Sequence, residues 1–194
     1  MRILCFVLLL INTCMASTPH ALVMAARKQV GVTVSYDEQY RSIPYPNGDV
    51  PLHTGVCTDV VIRAMRNLGQ DLQKKIHEDM RDHFGEYPKI WGLKKTDTNI
   101  DHRRVPNMIA YFKRQGYAQP ISHKSQDYKP GDIVTWYLMP NGTVPHIGIV
   151  SDKKTSCGRP LIIHNIGSGV QEEDVLFDWQ ITGHFRVTEK EEQK

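Results

Sequence analysis

The stretch Lys129–Val150, KPGDIVTWYLMPNGTVPHIGIV, decides the fold class. Pro130-Gly-Asp132 is a turn, and Ile133 to Leu138 is a run of β-branched and aromatic residues of strand length. Pro140-Asn-Gly142 makes a hairpin turn and leads into a second apolar run, His146 to Val150. A third strand is expected at Leu161–His164, after the polar turn around Cys157, and a last one at Ile181–Val187. Upstream the period is helical. Ala21–Val30 reads as a short helix stopped by Gly31. Val56, Val60, Ala64 and Leu68 recur at helical spacing behind Thr54, which is the expected N-cap. Leu72, Ile76, Met80 and Phe84 make another stripe, and Met108, Ile109 and Phe112 a third. Helices first and an antiparallel meander second give an α+β fold, with N-terminal helices packed on one face of a C-terminal antiparallel sheet.

The chain has 194 residues and a net charge of +3. Residues 1–16 read as a cleaved signal peptide: Met-Arg, an apolar run over residues 3–11, then small residues up to Ala16. That run is too short to span a bilayer as a stable helix. Ile11-Asn-Thr-Cys14 is a poor lipidation motif, which favours cleavage and a periplasmic or secreted product. Residues 17–188 are expected to form one domain, large enough to bury a substantial core, followed by a solvated tail at 189–194. No later stretch is apolar enough for a membrane span, and the Lys and Arg residues are dispersed, which gives no reason to expect a nucleic-acid partner. Monomer is the default.

Cys57 and Cys157 survive processing. They can pair in an oxidising compartment, but their settings, an apolar helix and a polar turn, suit one functional and one incidental thiol better. Cysteine attacks as thiolate, and the free N–H groups of a helix's first turn favour that charge and stabilise an oxyanion. His146 and His164 sit at the edges of apolar strands, where a backbone ladder fixes them. One can take the thiol proton and the other can select its tautomer. Asn165 competes for that orienting role but faces the other side of an extended strand from His164. Asp59, two residues past Cys57, is expected to cap the helix or pair away from the thiol.

Asp97-Thr-Asn-Ile-Asp-His-Arg-Arg104 is too polar for an ordinary connection. Asp101, His102, Arg103 and Arg104, with Asp59, are candidate substrate-binding residues, since arginine binds carboxylates bidentately. The alternative, weighted more heavily, is an internal ion-pair network that pins the loop. Neither a metal nor another cofactor is implied.

The phrases Lys129–Trp136, His146-Ile-Gly-Ile-Val150 and Leu161-Ile-Ile-His164 resemble the second half of NlpC/P60 cysteine peptidases. By Tyr45-Pro-Asn-Gly-Asp49, Gly55-Val-Cys-Thr-Asp59, Asp71-Leu-Gln, Asp97–Pro106, His164-Asn-Ile-Gly167 and Ile181–Arg186 the chain is identified as a member of the DUF1287 family of exported bacterial proteins. The resemblance implies a papain-like fold with Cys57 as nucleophile, His146 as base and His164 as the orienting residue. It also implies a tyrosine at the oxyanion site, with Tyr45 the first choice and Tyr36 the second. The implied substrate is an amide bond of a peptidoglycan stem peptide or related cell-wall peptide. NlpC/P60 enzymes read Asp-Cys-Ser-Gly at the nucleophile, whereas this chain reads Val56-Cys-Thr-Asp59. A catalytically silent wall-binding module and an acyl or amide transferase are the rival functions.

Overall fold

The computed structural model describes residues 18–188; the expected signal peptide and the tail at 189–194 lie outside them. Four α-helices precede the main sheet: α1 Thr18–Arg27, α2 Cys57–Arg66, α3 Leu72–Asp82 and α4 Val105–Arg114. Two short strands, β1 Ser35–Tyr36 and β2 Thr54–Gly55, pair in parallel ahead of α2. The main sheet comprises β3 Ile133–Tyr137, β4 Pro145–Lys154, β5 Pro160–Asn165, β6 Val170–Glu173 and β7 Gln180–Phe185. Its order is β6-β5-β4-β3-β7, with every pairing antiparallel. The fold is α+β and papain-like.

The central strands β3, β4 and β5 are apolar on both faces, which is why they read as continuous apolar runs rather than alternating ones. Ile133, Ile147, Ile149, Ile163 and Phe185 pack under the helices. Val134, Trp136, Val150 and Ile162 form the opposite face, covered by Tyr128 and Leu176, with the Trp136 indole donating to the Leu176 carbonyl at 3.0 Å. Helix α2 lies deepest. Every residue from Cys57 to Met65 is buried, with Val60, Val61, Ile62 and Ala64 in the core between the sheet and the other helices.

Helix α1 starts three residues earlier than the Ala21–Val30 reading and ends at Arg27 rather than running to Gly31, and two further local features differ from the sequence reading. The N-cap of α2 is Val56, not Thr54. Thr54 is drawn into β2 by pairing with Ser35, and the Asp59 carboxylate, at the third helical position, reaches back to accept the Val56 N–H at 2.7 Å. Cys57 is therefore the first residue of the helix. Strand β6 carries no apolar alternation and was not expected; only its first residue, Val170, is buried.

Candidate active site

Cys57 is 4% exposed and lines an open cleft of about 320 Å³. Tyr36, Trp91, Arg103, Arg104 and Pro145 contribute to its walls. Three donors surround the sulfur: the backbone N–H of Thr58, the backbone N–H of Ile147 and the Tyr36 hydroxyl. Each has a structural cause. Thr58 follows Cys57 in the helix's first turn, where N–H groups have no intrahelical partner. The β4–β5 ladder is in register at Ile149↔Ile163 but has no registered pair at Ile147. Tyr36 arrives through β1, where it pairs with Gly55, two residues before the cysteine.

Asn165 holds this corner together. Its amide donates to the Gly55 carbonyl at 2.9 Å and to the Ser35 carbonyl at 3.3 Å, tying β5 to both short strands. It faces away from His164, as strand alternation predicts.

His146, at the start of β4, and His164, at the end of β5, are both buried. His146 Nε2 lies 2.7 Å from His164 Nδ1. The His146 ring packs against Trp136 and Trp179, each at a centroid distance of 5.9 Å. Gly148 makes this approach of β5 to β4 possible. A Cβ there would sit 2.7 Å from a methyl of Ile162 and 3.1 Å from the His164 Cβ. Gly148→Ala is expected to cost about 1–3 kcal/mol by overpacking and to weaken the His146–His164 contact. A urea melt indistinguishable from wild type would contradict this.

Cys57 and His146 are not hydrogen-bonded to each other; they are linked through Ile147, the residue after His146, whose N–H meets the sulfur. Burial dominates the proton affinities. It pushes the Cys57 thiol up to about 12, against the Ile147 N–H, the strongest opposing influence, which lowers it. It holds His146 down at about 3, helped by His164. The depressed thiol expected from a helix N-terminus is thus outweighed, and the resting pair is thiol and neutral imidazole.

The other candidate residues separate cleanly. Tyr36, the second choice, hydrogen-bonds the thiol, whereas the Tyr45 ring packs edge-on against His77 of α3 at 5.2 Å. Asp59 is committed within the fold: Oδ1 and Oδ2 accept from Arg103 at 3.0 and 2.9 Å, and Oδ2 also takes the Val56 N–H. Asp101 and His102 are buried, at 1% and 2% exposure. The Asp101 carboxylate accepts the Asp97 N–H, and its main-chain carbonyl takes the Asn107 amide. Arg103 reaches the cleft wall with its guanidinium spent on Asp59. Asp59, Asp101 and Arg103, three of the five candidate substrate contacts, thus serve the internal network, because a charged group this deep needs a partner within the fold, while His102 is buried with its Nδ1 unpartnered among the described residues. Arg104 stands apart. Its guanidinium lies over the Trp91 ring at 4.1 Å, its nearest carboxylate is Asp101 at 3.6 Å, and it borders the cleft.

One site residue escaped the sequence reading. Glu173 Oε1 lies 2.9 Å from His164 Nε2, extending the pair into a chain of three. Its polar edge strand gave no periodic signal.

Residues 23–187 match the family described as DUF1287, a domain of unknown function. The chain belongs to the DUF1287 family. It is 54% identical over 171 residues to YijF of Escherichia coli, described as an uncharacterized protein, covering 88% of this chain and 82% of that one. Among solved structures, an N-acetylmuramoyl-L-alanine amidase from Bacteroides uniformis is similar with a TM-score of 0.53 at 14% identity, covering 87% of this chain and 98% of that one. At this identity the likeness shows that the DUF1287 chain shares the fold of that structure. NlpC1 from Trichomonas vaginalis also resembles it, with a TM-score of 0.48 and 14% identity over 90% of this chain, which spans only 46% of that structure. Among the described residues no helix is long and apolar enough to cross a membrane.

Proposed function

We propose that this DUF1287 protein is an exported thiol hydrolase that cleaves an amide bond in cell-wall peptides. The observation that carries the reading is a cysteine at the first position of a buried helix, open to a cleft, with donors around its sulfur and a histidine chain one residue along the strand that supplies one of them. In the mechanism, His146 takes the thiol proton at Nδ1, the nitrogen not committed to His164. Transfer requires the thiol to swing from the Ile147 N–H toward that ring. The thiolate attacks the substrate carbonyl, and first-turn N–H groups of α2 with the Tyr36 hydroxyl receive the oxyanion. His146 returns the proton to the leaving amine, and water releases the acyl-enzyme. Arg104, flat on Trp91, is the cleft's available guanidinium and suits a substrate carboxylate.

A silent wall-binding module is the second reading, favoured by the raised thiol and its missing hydrogen bond to His146. An acyl transferase would use the same intermediate with an amine in place of water.

Incubation of the mature protein with soluble peptidoglycan fragments, followed by mass spectrometry, tests the proposal. A new amine and carboxyl product pair is expected, lost in Cys57→Ala with the fold retained. Turnover surviving in that variant, or absent from wild type, would overturn it. With both groups neutral at rest, alkylation of Cys57 by iodoacetamide is expected to be slow at neutral pH. It should rise about tenfold per pH unit as the thiolate fraction grows toward the pKa of about 12.

A further inference from the structure

Glu173 lies on β6, the outer strand of the sheet, and its side chain is 45% exposed. A carboxylate in that setting is ordinarily solvated or paired with a lysine or arginine. Among the described residues Glu173 has no such pair; its partner is the fully buried ring of His164. Strand geometry explains the meeting. Glu173 stands opposite Ile162, and His164 lies two residues further along β5 on the same face, so the two are diagonal neighbours. The adjacent Glu172 points to the other face and binds Arg27 and Ser151. The sequence Glu172-Glu173 thus divides between a structural cluster and the histidine chain.

An ionised carboxylate only accepts hydrogen bonds, so His164 Nε2 must carry a hydrogen to meet Glu173 at 2.9 Å. Burial keeps His164 neutral at neutral pH, against the upward pull of Glu173. A neutral ring with its hydrogen on Nε2 has a bare Nδ1, which accepts. The contact of 2.7 Å between His164 Nδ1 and His146 Nε2 then requires the hydrogen to sit on His146 Nε2. His146 Nδ1 is left with its lone pair.

We infer that Glu173 is a positioning residue which, through His164, sets His146 in the one neutral tautomer whose Nδ1 can accept the Cys57 proton. The inference rests on the Cys57–His146 hydrolase reading for its purpose, though not for its geometry. In the step it prepares, the Sγ–H bond breaks, its electron pair stays on sulfur as thiolate, and the proton binds Nδ1. His146 keeps its Nε2 hydrogen and goes on donating to His164. A donor in place of Glu173 would reverse both rings: His164 would present a bare Nε2 outward and an Nδ1 hydrogen inward, and His146 would carry its hydrogen on Nδ1, where it blocks the base.

Long-range 1H–15N spectra of the histidine-labelled mature protein near neutral pH test this, with His146→Ala and His164→Ala used for assignment. Wild type is expected to show both rings neutral with hydrogen on Nε2. Glu173→Lys, a donor only, should move His146 to the Nδ1–H form. Glu173→Ala leaves water as the partner, which donates or accepts, so both forms should be populated; it serves if the lysine variant fails to fold. A wild-type His146 with hydrogen on Nδ1, a charged His164, or wild-type tautomers retained in a folded variant would overturn the inference. On any substrate found, Glu173→Lys should lower kcat about 10- to 100-fold, by analogy with the outer partners of metal-bound histidines, short of the roughly 10⁴-fold cost of directly losing a triad's orienting carboxylate. The spectra need no turnover. Ordered tautomers in an inactive protein would sink the hydrolase reading alone, and activity with tautomers indifferent to Glu173 would sink the relay alone.

Discussion

Lowering the pH from about 7 to about 4 is expected to unfold this protein, through buried histidines rather than carboxylates. His146 and His102 are each held at about 3, in both cases chiefly by burial. An unfolded histidine titrates near 6.5. A base whose folded pKa lies below its unfolded one contributes stability that is complete above about 6.5 and is lost as the pH falls toward about 3, because the unfolded chain takes up the proton first. Each such group costs about 1.4 kcal/mol per pH unit inside that window, so the two together approach 3 kcal/mol per unit. Against a typical domain stability of roughly 5–15 kcal/mol, one or two units suffice for a marginal chain. His164, also lowered by burial, adds in the same direction. The carboxylates act later. Asp132 is buried but kept low by His184 and Arg186, and Glu172 is held at about 2, against burial, chiefly by Arg27. Their contribution is lost only below the ordinary carboxylate range of about 4. Urea melts at stepped pH should show stability falling from about pH 6.5, and His102→Gln should roughly halve the slope whatever it does to the absolute value. A flat profile between about pH 7 and 5 would mean that water reaches these rings.

Burial is also what separates the legible parts of the site from the illegible ones. The strands and helices could be read because their apolar residues recur at short, regular spacing, and Ile133–Tyr137 and the stripes of α3 and α4 lie where those periods put them. Cys57 stood out as a thiol in the first turn of an apolar helix, and His146 and His164 because they open and close apolar strands. The choice between Tyr36 and Tyr45 depended on a different kind of event. A parallel pairing two residues long, between chain segments nearly twenty residues apart, carries Tyr36 to the thiol, and nothing periodic announces it. Glu173 was hidden for the same reason, on a polar edge strand that exists only because β5 offers it a ladder. The thiol's proton affinity shows the same limit. The helix N-terminus was visible in sequence, but the depth at which the fold sets it was not, and depth is the larger effect here.

Removing one member of the Asp59–Arg103 pair is expected to cost about 3–5 kcal/mol, the penalty for leaving a buried charge without its partner. The side chains are 4% and 3% exposed, and two parallel bonds join them. The pair also bolts the start of α2 to the short helical turn Asp101–Arg103, reinforced by the Thr58 hydroxyl donating to the Arg103 carbonyl at 3.0 Å. Asp59 carries the cap at Val56, so its loss acts on the residue immediately before the nucleophile. Asp59→Ala removes charge and cap together, whereas Arg103→Leu removes the cation and leaves the cap acceptor in place. Asp59→Ala should therefore destabilise more and should speed Cys57 alkylation as the first turn of α2 loosens and water reaches the sulfur. The double variant should cost less than the two single losses combined, with a coupling on the order of 0.5–3 kcal/mol, because neither charge is then stranded. Chemical denaturation gives the energies and mass-resolved alkylation gives the exposure of the thiol. Single variants that melt like wild type would show that the pair is solvated in solution, and Arg103 would then become a second cation open to the cleft beside Arg104.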